Sequence, residues 1–273
     1  MPILGTIIKK AYELRNMPVE LKKQRLNPVI AQKTQLKKLL QKAQFTAFGE
    51  EYQFDELLNQ KEVENAFAAK VPVFDYNSMY KHWWYRALNG EAYVTWPGRV
   101  KYFALSSGTS EASSKHIPIT QDMLSSIKRA SVRQLVSASK YDFPVHFYEK
   151  GILMIGGSTH LNYNGTYFAG DLSGITAGNI PFWFQHFYKP GRRISKATDW
   201  ATKLNEMVKK APSWDIGVIV GVPAWVQILL ERIISEYKLN TIHDIWPNLS
   251  VYVHSGVSFA PYEKSFEDRK SVV

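Results

Sequence analysis

The chain has 273 residues, 45% of them hydrophobic and 14% aromatic, enough to bury a sizeable core as one large domain or two small ones. It contains no cysteine, which excludes disulfide frameworks, cysteine-based zinc sites and thiol nucleophiles. The net charge of +10 is concentrated, because residues 1 to 42 carry ten Lys or Arg against Glu13 and Glu20, a local balance of +8.

The N-terminal stretch "MPILGTIIKKAYELRN" places its charges after a short apolar run, the wrong layout for a signal peptide. No later stretch reaches the roughly 18 uninterrupted apolar residues of a spanning helix. A cytoplasmic, soluble protein is expected. Asn27 and Pro28 make a helix start, and Leu36, Leu39, Leu40 and Ala43 follow at helical spacing with lysines between them. This pattern predicts an amphipathic helix packed on a domain, its lysines solvated. The alternative is a basic helix lying on anionic lipid or nucleic acid. No aromatic stacking set is interleaved with these lysines, so neither a membrane nor a nucleic-acid partner is expected.

Residues 71 to 101 are rich in aromatics and punctuated by Pro72, Gly90, Pro97 and Gly98. "VKYFAL" then reads as a strand and residues 121 to 139 as a helix, with Thr120 as N-cap, Asp122 in its first turn, and Leu124, Ile127, Ser131 and Leu135 on one face. "GILMIGG" at 151 to 157 and "WDIGVIVGVP" at 214 to 223 read as buried strands. Between them "NIPFWFQHFY" at 179 to 188 is either core or the lining of an apolar pocket for an aromatic or aliphatic acid, and a helix is expected near Asp199 to Lys210. Residues 224 to 238 read as an amphipathic helix with Trp225, Ile228, Leu229 and Ile233 inward, and residues 249 to 259 as a third strand entering a Gly turn. Strands alternating with helices predict an α/β architecture around a largely parallel sheet. Ligands in such sheets bind at the carboxyl ends of the strands. The loop after "VKYFAL" and the Gly256 turn after "SVYV" are therefore the candidate ligand walls.

The first of these loops carries the chemistry. The hydroxyls of Ser106, Ser107, Thr109 and Ser110, the backbone N–H groups around Gly108 and the ammonium of Lys115 form a donor array suited to phosphate oxygens. Composition alone also fits a solvent-exposed turn. The loop is not a Walker A motif, because Lys115 falls one place too late after Gly108. The seven histidines show no paired metal spacing, and "GGSTH" at 156 to 160 has His where a nucleophile elbow needs its second Gly.

"SSGTSEASSKHIPIT" resembles the Ser-Ser-Gly-Thr-Thr/Ser...Lys...Pro signature of the auxin-responsive promoter (Gretchen Hagen) family of acyl-acid amido synthetases, in a bacterial-type form. These are relatives of the acyl-adenylate-forming enzymes. "TAFGEEYQF" at 46 to 54, "VPVFDYNSM" at 71 to 79, "VGVPAWVQILLERI" at 220 to 233 and "IWPNLSVYVHSGVSFAPY" at 245 to 262 look like further landmarks in the family's order. The resemblance implies that a carboxylic acid and ATP react to an acyl-adenylate, which an amino acid or other amine converts to an amide. It implies that Ser106, Ser107, Gly108, Thr109 and Ser110 hold the ATP phosphates. Lys115, as the catalytic cation, and Mg²⁺ would offset charge on the departing pyrophosphate. It also implies that the Ser255–Gly256–Val257 turn lies beside the adenine. Arg129 or Arg133 is a candidate guide for the acid's carboxylate, their other reading being a solvated helix face. A non-catalytic nucleotide- or phosphate-binding module and a basic peripheral binder are the alternatives.

Family members continue through a Tyr-x-x-Ser-Glu-type nucleotide motif, a ribose-holding Asp and a mobile C-terminal domain. None is found in this sequence. Residues 1 to 267 are therefore expected to be a partial N-terminal adenylation domain, mainly helical to residue 70 and α/β from 71, which alone is weakly active or inactive. Asp268 to Val273, "DRKSVV", match no family landmark and resemble a translation of the start of a common sequencing adapter, so a non-native tail is expected there.

Overall fold

The computed structural model describes residues 3–23, 27–106 and 115–269. The chain builds two compact units, one from Met1–Asn16, Ile127–Leu161 and Gly170–Val273, the other from Met17–Ser126 and Asn162–Ala169. The longer helices are α1 (Ile3–Lys23), α2 (Pro28–Ala43), α3 (Val63–Lys70), α4 (Gln121–Ser137), α5 (Leu172–Gly178), α6 (Trp200–Lys210), α7 (Pro223–Glu236) and α8 (Ala260–Arg269). The strands are β1 (Tyr102–Leu105), β2 (His116–Ile119), β3 (Gly151–Met154), β4 (Asn162–Tyr163), β5 (Phe168–Gly170), β6 (Tyr188–Lys189), β7 (Ile216–Val220) and β8 (Val251–Val253).

The first unit contains a parallel sheet in the order β6-β3-β7-β8. Side chains alternate across a strand, and Leu153 and Ile219 are fully buried with Leu204 and Met207 of α6 and Leu229 and Ile233 of α7. Ile216, three residues before Ile219, joins the same core because the β3–β7 register slips by one residue between Gly151 and Ile152. Ile152, Val218 and Val220 point to the opposite face. Asp199 caps α6 by accepting the Thr202 N–H at 2.7 Å, and Pro223 supplies the helix-compatible first residue of α7. Trp246 is fully buried in this core and donates its indole N–H to the Ala211 carbonyl at 3.0 Å.

Two expectations are corrected in this unit. Trp225 and Ile228 do not face the core: they are 38% and 41% exposed, and Val226, Leu229, Leu230 and Ile233 form the buried stripe instead. That stripe keeps the i, i+3, i+4, i+7 spacing and lies one position further along, leaving Trp225 to pack on Trp200 at 5.1 Å. The third strand covers Val251–Val253 alone. Gly256, at φ +91°, turns the chain out of it, and α8 follows. Phe266 anchors α8, fully buried and stacked on Tyr252 at 5.3 Å. Residues 268 and 269 complete that helix, and 270–273 lie outside the described residues.

In the second unit, Asn27 caps α2 by accepting the Val29 N–H at 2.9 Å, and Leu40 and Ala43 are buried. Leu39, expected on the same face, is 43% exposed because it lies to the side of the Leu36–Leu40–Ala43 stripe. Lys33 pairs with Glu64 on α3 and Lys42 with Asp122 on α4, so part of the basic face is engaged with this unit's own carboxylates. A second core gathers Trp83, Val94, Val100 and Phe103, with Phe48 and Tyr52 against it.

The sheet here runs β2-β1-β5-β4. The strand expected at "VKYFAL" is thus not part of the parallel sheet. β1 and β2 pair antiparallel, Tyr102 opposite Ile119 and Leu105 opposite His116. A short connection can join antiparallel neighbours, whereas parallel ones need a long crossover. β2 lies at the sheet edge, where Pro118 costs no ladder hydrogen bond. No described helix is long and apolar enough to cross a membrane.

Candidate functional site

The Ser/Gly/Thr-rich stretch falls between the antiparallel strands β1 and β2. Its neck is closed by the Ser106 N–H donating to the Lys115 carbonyl at 3.0 Å. Ser107, Gly108, Thr109 and Ser110 lie outside the described residues. Lys115 is exposed, and its Nζ stands 4.9 Å from the centre of the Tyr76 ring. The Tyr76 hydroxyl in turn accepts the His116 N–H at 2.9 Å. Tyr76 opens a short helix, Tyr76–Met79, capped by Asp75, which accepts the Ser78 N–H at 2.8 Å.

In the first unit, all strands of the parallel sheet end on the same side, so the segments after β3, β7 and β8 share its carboxyl end. Ser255, Gly256 and Val257 form the exposed turn after β8. A Cβ on Gly256 would meet Val222 at an ordinary 3.6 Å, so the positive φ, not crowding, favours glycine there. The segment after β3, residues 156–160, is held firmly. The buried Lys203 donates to the Gly156 carbonyl at 2.7 Å and the Gly157 carbonyl at 3.1 Å, while Ser173 accepts the Gly157 N–H at 2.9 Å. Burial pushes the Lys203 ammonium below the ordinary lysine pKa, and the Asp171 carboxylate partly offsets that shift.

The open face of the same sheet lines a cavity of about 820 Å³. Val218 and Val220 form its floor, Tyr12 and Phe147 contribute walls, and Trp183 and Phe187 come from the aromatic 179–188 segment. That segment therefore does line an apolar pocket. Arg129 and Arg133 are exposed on α4, and neither lines this cavity.

Of the expected donor set, Ser106 and Lys115 are among the described residues, tied to each other through the backbone. Among the described residues no group of three or more His, Cys, Asp or Glu gathers as a metal site. The sequence reading missed Tyr76 and Lys203. Lys203 left a signal, since it falls on the apolar stripe of α6 with Leu204, Met207 and Val208.

Residues 19–204 match the GH3 family N-terminal domain. The match covers more than half of the chain, and the chain belongs to the GH3 family. Among solved structures, a GH3.15 acyl acid amido synthetase is similar with a TM-score of 0.68 and 16% identity, over 95% of this chain and 53% of its own. AtGH3.15 acyl acid amido synthetase in complex with 2,4-DB has a TM-score of 0.62 and 15% identity, over 86% of this chain and 49% of its own. At this identity the likeness speaks for the α/β fold. The chain spans about half the length of these structures. No match was found among curated protein sequences.

Proposed function

We propose that the chain is the N-terminal part of an ATP-dependent acyl-acid amido synthetase. The observation that carries this reading is the closure of β1 on β2 between Ser106 and Lys115, on either side of the Ser/Gly/Thr-rich sequence, in a chain of the GH3 family. In the reaction, a carboxylate oxygen bonds to the α-phosphorus of ATP as the bond to the β-phosphate breaks and pyrophosphate leaves. The nitrogen of an amino acid or other amine then bonds to the acyl carbon, and AMP departs.

Roles follow the family pattern and the local chemistry. Ser106, Ser107, Gly108, Thr109 and Ser110 bind the β- and γ-phosphates, and Lys115 neutralises charge on the departing pyrophosphate. Bound Mg²⁺ would supply further charge neutralisation on the same oxygens. The Ser255–Gly256–Val257 turn offers backbone to the adenine. The apolar cavity takes the body of the acid; Arg129 or Arg133, exposed on α4 outside the cavity lining, would meet the carboxylate only before it enters. Residues 1–267 form the adenylation part, and the whole reaction is proposed of the longer protein. A cytoplasmic location belongs to the same reading.

Acid-dependent exchange of labelled pyrophosphate into ATP tests it, on a full-length parent beside this chain, with Lys115→Ala as control. Exchange in the parent that falls at least 100-fold in the variant, within the range for a lost transition-state donor, supports the reading. Tripolyphosphate binding without exchange across a panel of acids would instead point to a phosphate-binding module.

A further inference from the structure

We propose that Tyr76 is a positioning residue for Lys115, holding its ammonium at the hairpin neck ready for a polyphosphate. This rests on the phosphate-binding reading of Lys115. One tyrosine makes two contacts with adjoining residues of the neck: its hydroxyl accepts the His116 N–H at 2.9 Å, and its ring stands 4.9 Å from Lys115 Nζ. The ring is itself braced. It stacks on Tyr80 at 5.9 Å and meets the edge of Trp84 at 5.8 Å. The backbone behind it is braced too, because the Asp75–Ser78 capping box fixes the start of its helix, and the π-helical turn Tyr80–Trp84 continues it.

A lysine on a flexible stem loses considerable rotamer freedom when it grips a ligand. An aromatic face beside the ammonium restricts that freedom in advance. At an exposed site such a contact is weak, and it covers one side of the ammonium only, so a polyphosphate binds the open N–H groups while the ring contact is kept. Tyr76 therefore acts on the ligand through Lys115, and not by touching the ligand itself.

A double-mutant cycle read by calorimetry with inorganic tripolyphosphate tests this on the 273-residue chain. Tyr76→Leu is expected to weaken binding roughly two- to fivefold, the range of an exposed cation–π contact. In a Lys115→Ala background the same change is expected to alter nothing further. An equal loss in both backgrounds overturns the proposal, since the tyrosine would then support the fold alone. Carbon-13 dimethylation of lysines gives a readout independent of binding. The Lys115 signal, assigned by its absence in Lys115→Arg, is expected upfield under the Tyr76 ring current and back among exposed lysines in Tyr76→Leu. An unshifted signal with normal tripolyphosphate binding overturns the positioning role and leaves the phosphate reading intact. A shifted signal without tripolyphosphate binding overturns the phosphate reading, and with it the purpose assigned to Tyr76.

Discussion

The ammonium of Lys203 lies 2.7 Å from the carbonyl oxygen of Gly156, so a buried cation on a helix fixes the segment leaving a central parallel strand. Replacing it with Met removes a charged donor from two carbonyls, and Lys203→Met is expected to cost about 1–2 kcal/mol at neutral pH. Its lowered pKa sets the sign of the pH dependence. Between that value and the unfolded lysine value the unfolded state binds more protons, so stability rises with pH. Denaturant titrations from pH 7 to about pH 10 should show wild type gaining on Lys203→Met as the pH climbs. A constant difference would mean that Lys203 titrates normally.

Asp215 gives the opposite limb. Burial works against its carboxylate, but Lys150 and Asn248 outweigh this and hold the carboxyl below the ordinary aspartate value. A depressed carboxyl stabilises above its unfolded pKa, and that contribution is lost as pH falls through the folded value. Asp215→Asn should therefore flatten the acid limb below about pH 4, measured by thermal melts across that range, while leaving the alkaline side unchanged.

Gly174 and Gly178 sit on one short helix in very different surroundings. A Cβ on Gly174 would run into the Ser158 carbonyl, whereas nothing approaches the same position on Gly178. Gly174→Ala is expected to destabilise by roughly 1–3 kcal/mol through overpacking against backbone. Gly178→Ala should be neutral or stabilising by up to about 1 kcal/mol. Comparable melting temperatures for the two variants would contradict the packing.

Val218 faces the cavity while its neighbour Ile219 is fully buried in the helix-side core. Val218→Phe should thus fill part of the cavity at a stability cost below about 1.5 kcal/mol. If the cavity receives the acid, binding of hydrophobic carboxylates, followed by tryptophan fluorescence, should fall, with tripolyphosphate affinity unchanged. Undiminished carboxylate binding would locate the acid elsewhere.

The parallel strands at 151–154 and 216–220 were legible because buried strands read as continuous apolar runs bounded by glycine or turn residues. The phase of α7 was not. Trp225 and Ile228 are as apolar as Val226 and Leu230, so a sequence this hydrophobic marks a helix without choosing its inward stripe. "VKYFAL" announced a strand but not its partner, and the antiparallel pairing came from β2 ten residues further on. α8 left almost no pattern, since Phe266, fully buried, has the exposed Glu263, Lys264 and Glu267 around it in sequence. The hairpin's donor chemistry was readable in its own residues. Its support from Tyr76 was not, because that contact joins positions forty residues apart and no local periodicity encodes it.

Neither compact unit is a continuous stretch of chain, and this constrains the order of events during synthesis. The four-stranded sheet of the second unit needs β4 and β5, so the β1–β2 hairpin leaves the ribosome well before its remaining neighbours exist. The parallel sheet waits longer still, since the core over β7 and β8 is completed by Phe266 near the end of the described chain. Contacts so distant in sequence fold slowly. A nascent chain stalled before β8 therefore shows the cell a half-roofed sheet, and chaperone capture would concentrate in that interval.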